Sequence, residues 1–172
     1  CLPYAWASPM RLPRFRRDLT QAERVRRAAA LPADVRGRLR FLFARLYRST
    51  LLRRTQSIVV TGSCGKTSAK ELIATVLASR AHGYRMPSMY NSVWHITRGL
   101  LKTRPWHTFM VAELPGAGAQ GFPLDELLPI IRPTISVVTS IGDDHKSVFR
   151  TLDAVAEHKG KVVDYLPAHG VA

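Results

Sequence analysis

The sequence predicts an α/β fold, a parallel sheet with helices on both faces, preceded by an arginine-rich helical segment. Three observations predict it. Short apolar, β-branched runs recur at 57–61, 109–114 and 134–139. Stretches with apolar residues at helical spacing lie between and after them. The basic residues are also unevenly placed: residues 1–56 hold 14 arginines against Asp18, Glu23 and Asp34, a net +11, while every lysine lies further on. This shift in kind puts a boundary near Thr55, between a basic segment, 1–55, and an α/β domain, 56–172.

Residues 1–18 are broken by prolines and read as irregular, and a first helix is expected over 20–30, stopped by Pro32. A second helix is expected over 33–52, where Val35, Leu39, Leu42 and Leu46 recur at helical spacing and Arg36, Arg38, Arg40, Arg45 and Arg48 fill much of the rest. Such a basic amphipathic helix can pack on the following domain with its arginines in solvent, lie on an anionic membrane surface, or touch nucleic acid. No interleaving of aromatic and basic residues typical of a nucleic-acid module accompanies it, so no nucleic acid is expected. The strand at 57–61 leads to a helix over 68–79 with Leu72, Ile73, Val76 and Leu77 on one side. After the strand at 109–114 come a short helix over 123–131, a buried-looking strand at 134–139 and an amphipathic helix over 151–166.

The chain has 172 residues, 46% of them hydrophobic, which gives a folded core and excludes wholesale disorder. Cys1 and Cys64 are far apart and match no metal-ligand or disulfide spacing, so a reducing, cytoplasmic setting is expected. No apolar stretch approaches the roughly 20 residues needed to cross a bilayer. The chain opens on Cys1 rather than methionine and reads as a fragment.

The most informative segment is IVVTGSCGKTS over 58–68, an apolar strand running through a glycine-containing loop into a helix. Gly62 and Gly65 let the backbone turn and approach an anion with no Cβ in the way. The N–H groups of Ser63, Cys64, Gly65, Lys66, Thr67 and Ser68, at the positive end of the helix, suit phosphate oxygens. Lys66 adds charge for the terminal phosphates, and the Thr67 hydroxyl is placed to ligate Mg²⁺. The loop is shorter than the standard GxxxxGK[ST] pattern, whose first glycine would fall at Val60. Cys64 reads as a small loop filler, with a redox role the alternative for a thiol near a helix N-terminus.

At this loop the sequence resembles the Mur ligases, the ATP-dependent amide ligases of peptidoglycan synthesis. Here the string is TGSCGKTSAKELI over 61–73, close to the TGSSGKTTTKELI of the branch that adds D-alanyl-D-alanine. Further blocks follow in order: YN at 90–91 is similar to the family's YNN, VAEL at 111–114 to VVEMG, PTISVVTSIGDDH at 133–145 to P.iaviTNIg.aH, and FRTLDAVAEHKGKV at 149–162 to FgSleaIAkaKgEi. The resemblance covers 56–172 and implies an incomplete phosphate-loop central domain, without the family's uridine-nucleotide-binding and C-terminal domains.

The resemblance implies that ATP phosphorylates a substrate carboxylate and that an amine then attacks the acyl phosphate to form an amide. It implies that Lys66 contacts the β- and γ-phosphates, that Thr67 and Glu113 hold one Mg²⁺, and that His145 ligates a second. Asn91 matches the family asparagine near the metal and phosphates, and Lys159 the lysine that several members carry as a metal-binding carbamate. The residues add their own support. Glu113 closes an apolar strand, where ligand sites of parallel sheets lie. His145 follows another such strand, beside Asp143 and Asp144, which are alternative Mg²⁺ ligands. Lys159 falls on the apolar stripe of Leu152, Val155, Val162 and Leu166, so it is neutralised, modified or snorkels to the edge. Trp94 and Trp106 read as packing residues rather than an adenine shelf.

Ser92, His95, Ser140 and Lys161 depart from the family pattern, and Pro115 stands as an insertion after the Glu113 strand. The expected substrates are a nucleotide-linked muramoyl peptide and an amino acid or dipeptide. Two alternatives stand beside this reading: a poly-γ-glutamate or folylpolyglutamate synthase type, whose loops differ at Ser63 and Cys64, and a non-catalytic nucleotide-binding module that uses 33–52 to reach a membrane or partner.

Overall fold

The computed structural model describes residues 35–87, 93–114, 124–142 and 151–172. Among them the elements follow as α1 (Val35–Thr50), β1 (Gln56–Thr61), α2 (Lys66–Ala78), β2 (Gly83–Arg85), α3 (Val93–Lys102), β3 (Phe109–Glu113), α4 (Leu124–Ile131), β4 (Ile135–Val138) and α5 (Leu152–Asp164). The four strands are all parallel, in the order β2-β3-β1-β4. This is the α/β sheet that the sequence predicts. The helix expected over 20–30 lies outside the described residues.

β1 is central because every residue after Gln56 is apolar or small enough to be buried, and Ser57 to Thr61 are all buried. The pleat sends Ile58, Val60, Phe109 and Val111 to one face and Val59, Met110 and Ala112 to the other. On the first face α2 packs with Ala74, Ile73 and Leu77. The second face carries the larger core, to which α1, α3, α4 and α5 contribute Ala44, Leu100, Leu127 and Val162. In register, Val60 lies opposite Glu113 on β3 and Val137 on β4, so the three strands end nearly level. Val171 re-enters the sheet in parallel beside Ile135. α5 is therefore a return crossover that runs opposite to β4.

Three expectations are corrected. In α2, Leu72 and Val76 are exposed, and the packed stripe is Lys70, Ile73, Ala74 and Leu77. Lys70 fits there because its Nζ donates to Met86 O at 2.7 Å and pairs with Glu71 Oε1 at 2.9 Å. In α1, Leu39, Leu42 and Leu46 face solvent, while Gly37, Ala44 and Arg48 are buried. Small residues at 37 and 44 allow close approach to α3 and α4, and the Arg48 guanidinium is satisfied by carbonyls. In α5, Val155, Lys159 and Val162 are buried but Leu152 is exposed. A helix of 13 residues spans about 20 Å and outreaches a strand of 4 residues, about 13 Å long.

β2 and α3 go beyond the expected elements. β2 is only 3 residues long. α3 carries the poor helix formers His95, Ile96, Thr97 and Gly99, so its helicity depends on packing Ile96 and Leu100 into the core.

Candidate active site

β1 delivers the chain to a loop at the carboxyl end of the sheet, flanked by the ends of β3 and β4. Gly62 adopts φ +145° and Gly65 φ +77°. A Cβ on Gly62 would lie 2.0 Å from Thr139 Oγ1, so only glycine lets the loop cross the segment leaving β4. That segment holds the loop's shape. The Ser63 N–H donates to Ser140 O at 2.9 Å, the Cys64 N–H to Ser140 Oγ at 2.8 Å, and the Gly142 N–H to Ser63 Oγ at 3.0 Å. The Thr139 hydroxyl donates to Cys64 O.

α2 starts at Gly65 with no side-chain cap, which leaves its first-turn amides to an anion. Lys66 Nζ folds over the loop and donates to Gly62 O at 2.8 Å and Ser63 O at 3.2 Å. Thr67 Oγ1 donates to Glu113 Oε2 at 2.8 Å. The level ends of β1 and β3 produce this contact across 46 residues of sequence, and Glu113 is only 8% exposed. A hydroxyl and a carboxylate this close form a hard-oxygen pair of the kind Mg²⁺ takes alongside phosphate and water, so these residues fit that ion.

Lys159 is buried at 1% exposure, one turn from Val162. The Val162 carbonyl accepts from Ser136 Oγ at 2.7 Å, and since α5 runs opposite to β4, Lys159 is displaced from that level toward the carboxyl end of the sheet. Cys64 is exposed on the loop as a free thiol, and Ser68 is exposed in the first turn of α2. Asn91, His145, Asp143 and Asp144 lie outside the described residues, as does the side chain of Trp94. Trp106 is exposed, edge-on to His107.

The sequence reading missed two groups. Thr139 and Ser140 support the loop from 75 and 76 residues away, and only the pairing of β1 with β4 brings them there. The other group lines a cavity of about 330 Å³ beside Glu113, with Tyr84, His95, Arg98 and Lys102 around it. Arg98 and Lys102 repeat at i and i+4 on α3, an amphipathic helix whose alternation of apolar and basic residues was the signal that could have marked them.

Residues 60–172 match the model of the Mur ligase middle domain. The UDP-N-acetylmuramoyl-tripeptide–D-alanyl-D-alanine ligase of Synechocystis sp. is 34% identical over 115 residues, which are 67% of this chain and 25% of that protein. The Escherichia coli ligase of the same name is 31% identical over 115 residues, with the same shares of 67% and 25%. Among solved structures, MurF from Acinetobacter baumannii is similar with a TM-score of 0.71 and 28% identity, covering 81% of this chain and 30% of that one. MurF ligase from Thermotoga maritima in complex with ADP shares the fold, with a TM-score of 0.65 and 21% identity over 75% of this chain and 29% of that one. The chain thus spans about a quarter of the length of the curated relatives it matches, 25%. The glycine loop, the parallel sheet and the match over 60–172 agree, and the chain belongs to the Mur ligase family.

Proposed function

We propose that this chain is the ATP- and Mg²⁺-binding part of an amide-forming ligase of cell-wall synthesis, working in a cytoplasmic setting. Its substrates would be a nucleotide-linked muramoyl tripeptide and D-alanyl-D-alanine, the pair named for the ligases of Synechocystis and Escherichia coli. The observation that carries the reading is the 2.8 Å contact of Thr67 with Glu113 at the foot of a loop that tolerates only glycine at 62.

In this reading the first-turn amides of α2, which no side chain caps, orient the ATP phosphates. Lys66 exchanges its loop carbonyls for the β- and γ-phosphate oxygens, where it offsets the charge that develops as the terminal phosphoryl group leaves. Thr67 and Glu113 would hold Mg²⁺, which supplies charge neutralisation when bound. His145 would hold a second ion, Asn91 would lie against the same cluster, and Lys159 would contribute as a carbamate. Burial supports that last role, since Lys159 is held on the packed face of α5 and away from solvent. The carboxylate substrate would approach from the cavity beside Glu113, where Arg98 and Lys102 offer cations to an acidic peptide. The remaining contacts to both substrates belong to parts of the ligase beyond this chain, so this part by itself would not form the amide.

Calorimetry tests the reading. Lys66→Ala should abolish MgATP binding while circular dichroism shows an unchanged fold. Glu113→Gln should weaken binding in Mg²⁺ more than in its absence. Unchanged affinity in Lys66→Ala would remove the phosphate-loop assignment.

A further inference from the structure

α1 presents two opposed faces. Gly37, Ala44 and Arg48 are buried against the domain. On the other side Leu39, Leu42, Phe43 and Leu46 are between 52% and 59% exposed, and Leu51 in the following turn is 56% exposed. At about 100° per residue, positions 39, 42, 43 and 46 fall within an arc of roughly 100° that is diametrically opposite Ala44 and Arg48. Arg40 and Arg45 occupy the flanks between the two faces, and Arg45, Arg53 and Arg54 are exposed. No acidic residue occurs between Asp34 and Glu71. The helix end next to Arg53 also opens on a cavity of about 430 Å³ lined by Arg53, Arg132 and His169, with no carboxylate in its lining.

An exposed apolar ridge would be a liability on an isolated domain. Bordered by arginines, and held in place by an opposite face fixed to the core, it has the layout of a helix that lies in a membrane interface. The ridge enters the acyl boundary and the guanidinium groups meet phosphates. No described helix is long and apolar enough to cross a membrane, so the contact is peripheral. We propose that α1 docks this chain on an anionic lipid surface, with Leu42 and Phe43 as the inserted side chains and the exposed Arg45, Arg53 and Arg54 as the headgroup contacts. The occupant is a lipid surface, because Arg45, Arg53 and Arg54 are exposed beside the ridge and no acidic residue between Asp34 and Glu71 opposes an anionic headgroup.

The experiment is co-sedimentation of the 172-residue chain with phosphatidylcholine vesicles, with and without phosphatidylglycerol. The chain should pellet with the anionic vesicles, less so at high salt, and stay in solution with the neutral ones. Leu42→Gln/Phe43→Gln should weaken binding by more than about tenfold, and Arg45→Gln/Arg53→Gln by roughly thirtyfold. Both sets of side chains lie away from the core, so circular dichroism and MgATP affinity should be unchanged. This separates the proposal from the phosphate-loop reading. Absence from anionic vesicles, equal binding by Leu42→Gln/Phe43→Gln, or a dimer in light scattering that this variant dissolves without any vesicle binding would each overturn it.

Discussion

Gly62 carries the tightest local constraint in the site. Its φ of +145° is rarely open to a side chain, and an added Cβ would meet Thr139 Oγ1 at 2.0 Å. Gly65 differs: its φ of +77° is left-handed, but its nearest neighbour to a Cβ is Thr139 Cβ at 4.0 Å. Gly62→Ala must therefore displace the loop from the exit of β4, whereas Gly65→Ala meets backbone strain alone. Strain of this kind costs about 1–3 kcal/mol, and the clash at 62 adds to it. Gly62→Ala should lower the unfolding midpoint in denaturant more than Gly65→Ala does and should remove MgATP binding. Equal destabilisation by the two variants would mean that the contact with Thr139 does not constrain the loop.

The elements differ in how far the sequence declared them. β1 was legible because five successive residues suit a buried strand, and the loop because each of its residue types answers a chemical need. Glu113 was legible through its place at the end of an apolar strand. Its contact with Thr67 was not, because the two residues are 46 apart in sequence and only the tertiary register of β1 with β3 brings them together. α3 and β2 were hidden by weak propensity and short length. The connection from α3 to β3 includes a titrating ring among its contacts. His107 Nδ1 accepts from the Arg104 N–H at 3.0 Å, and the ring stacks on Tyr84. Burial, then the charges of Arg104 and His82, hold His107 below its ordinary value of 6.5. Below that value the unfolded chain binds the proton more readily than the folded one, so stability conferred by neutral His107 is present above 6.5 and is lost as pH falls through the window beneath it. Thermal melts from pH 7 downward should show this loss, and His107→Gln should flatten it. An identical pH slope in the variant would assign the dependence to other groups.

Across the whole molecule the polar ends of the sheet are separated by purpose. The carboxyl ends of β1, β3 and β4 gather the glycine loop, Thr67 and Glu113, while the helix layer is tied down near the start of β4. There Arg48 reaches from α1 to the end of α4. Its guanidinium donates to Ile131 O at 2.9 Å, to Arg132 O at 3.1 Å and to Leu52 O. Arg132 ends α4 with φ +48°, which turns its carbonyl within reach of Arg48. Burial, then the charge of Arg132, pushes Arg48 down to about 10, still well above neutral pH, so the group is docked as a cation. The arrangement explains why an arginine, and not a leucine, occupies the packed face of α1: three carbonyls near helix ends need donors, and one planar guanidinium supplies them. Arg48→Met keeps much of the bulk but leaves these acceptors without that partner, at about 2–3 kcal/mol. Hydrogen exchange across residues 35–50 should accelerate in this variant and the melting temperature should fall. MgATP affinity should hold, because the phosphate loop is at the opposite end of the strands. A variant with native exchange in α1 would show that apolar packing around Ala44 and Leu52 is enough to anchor the helix.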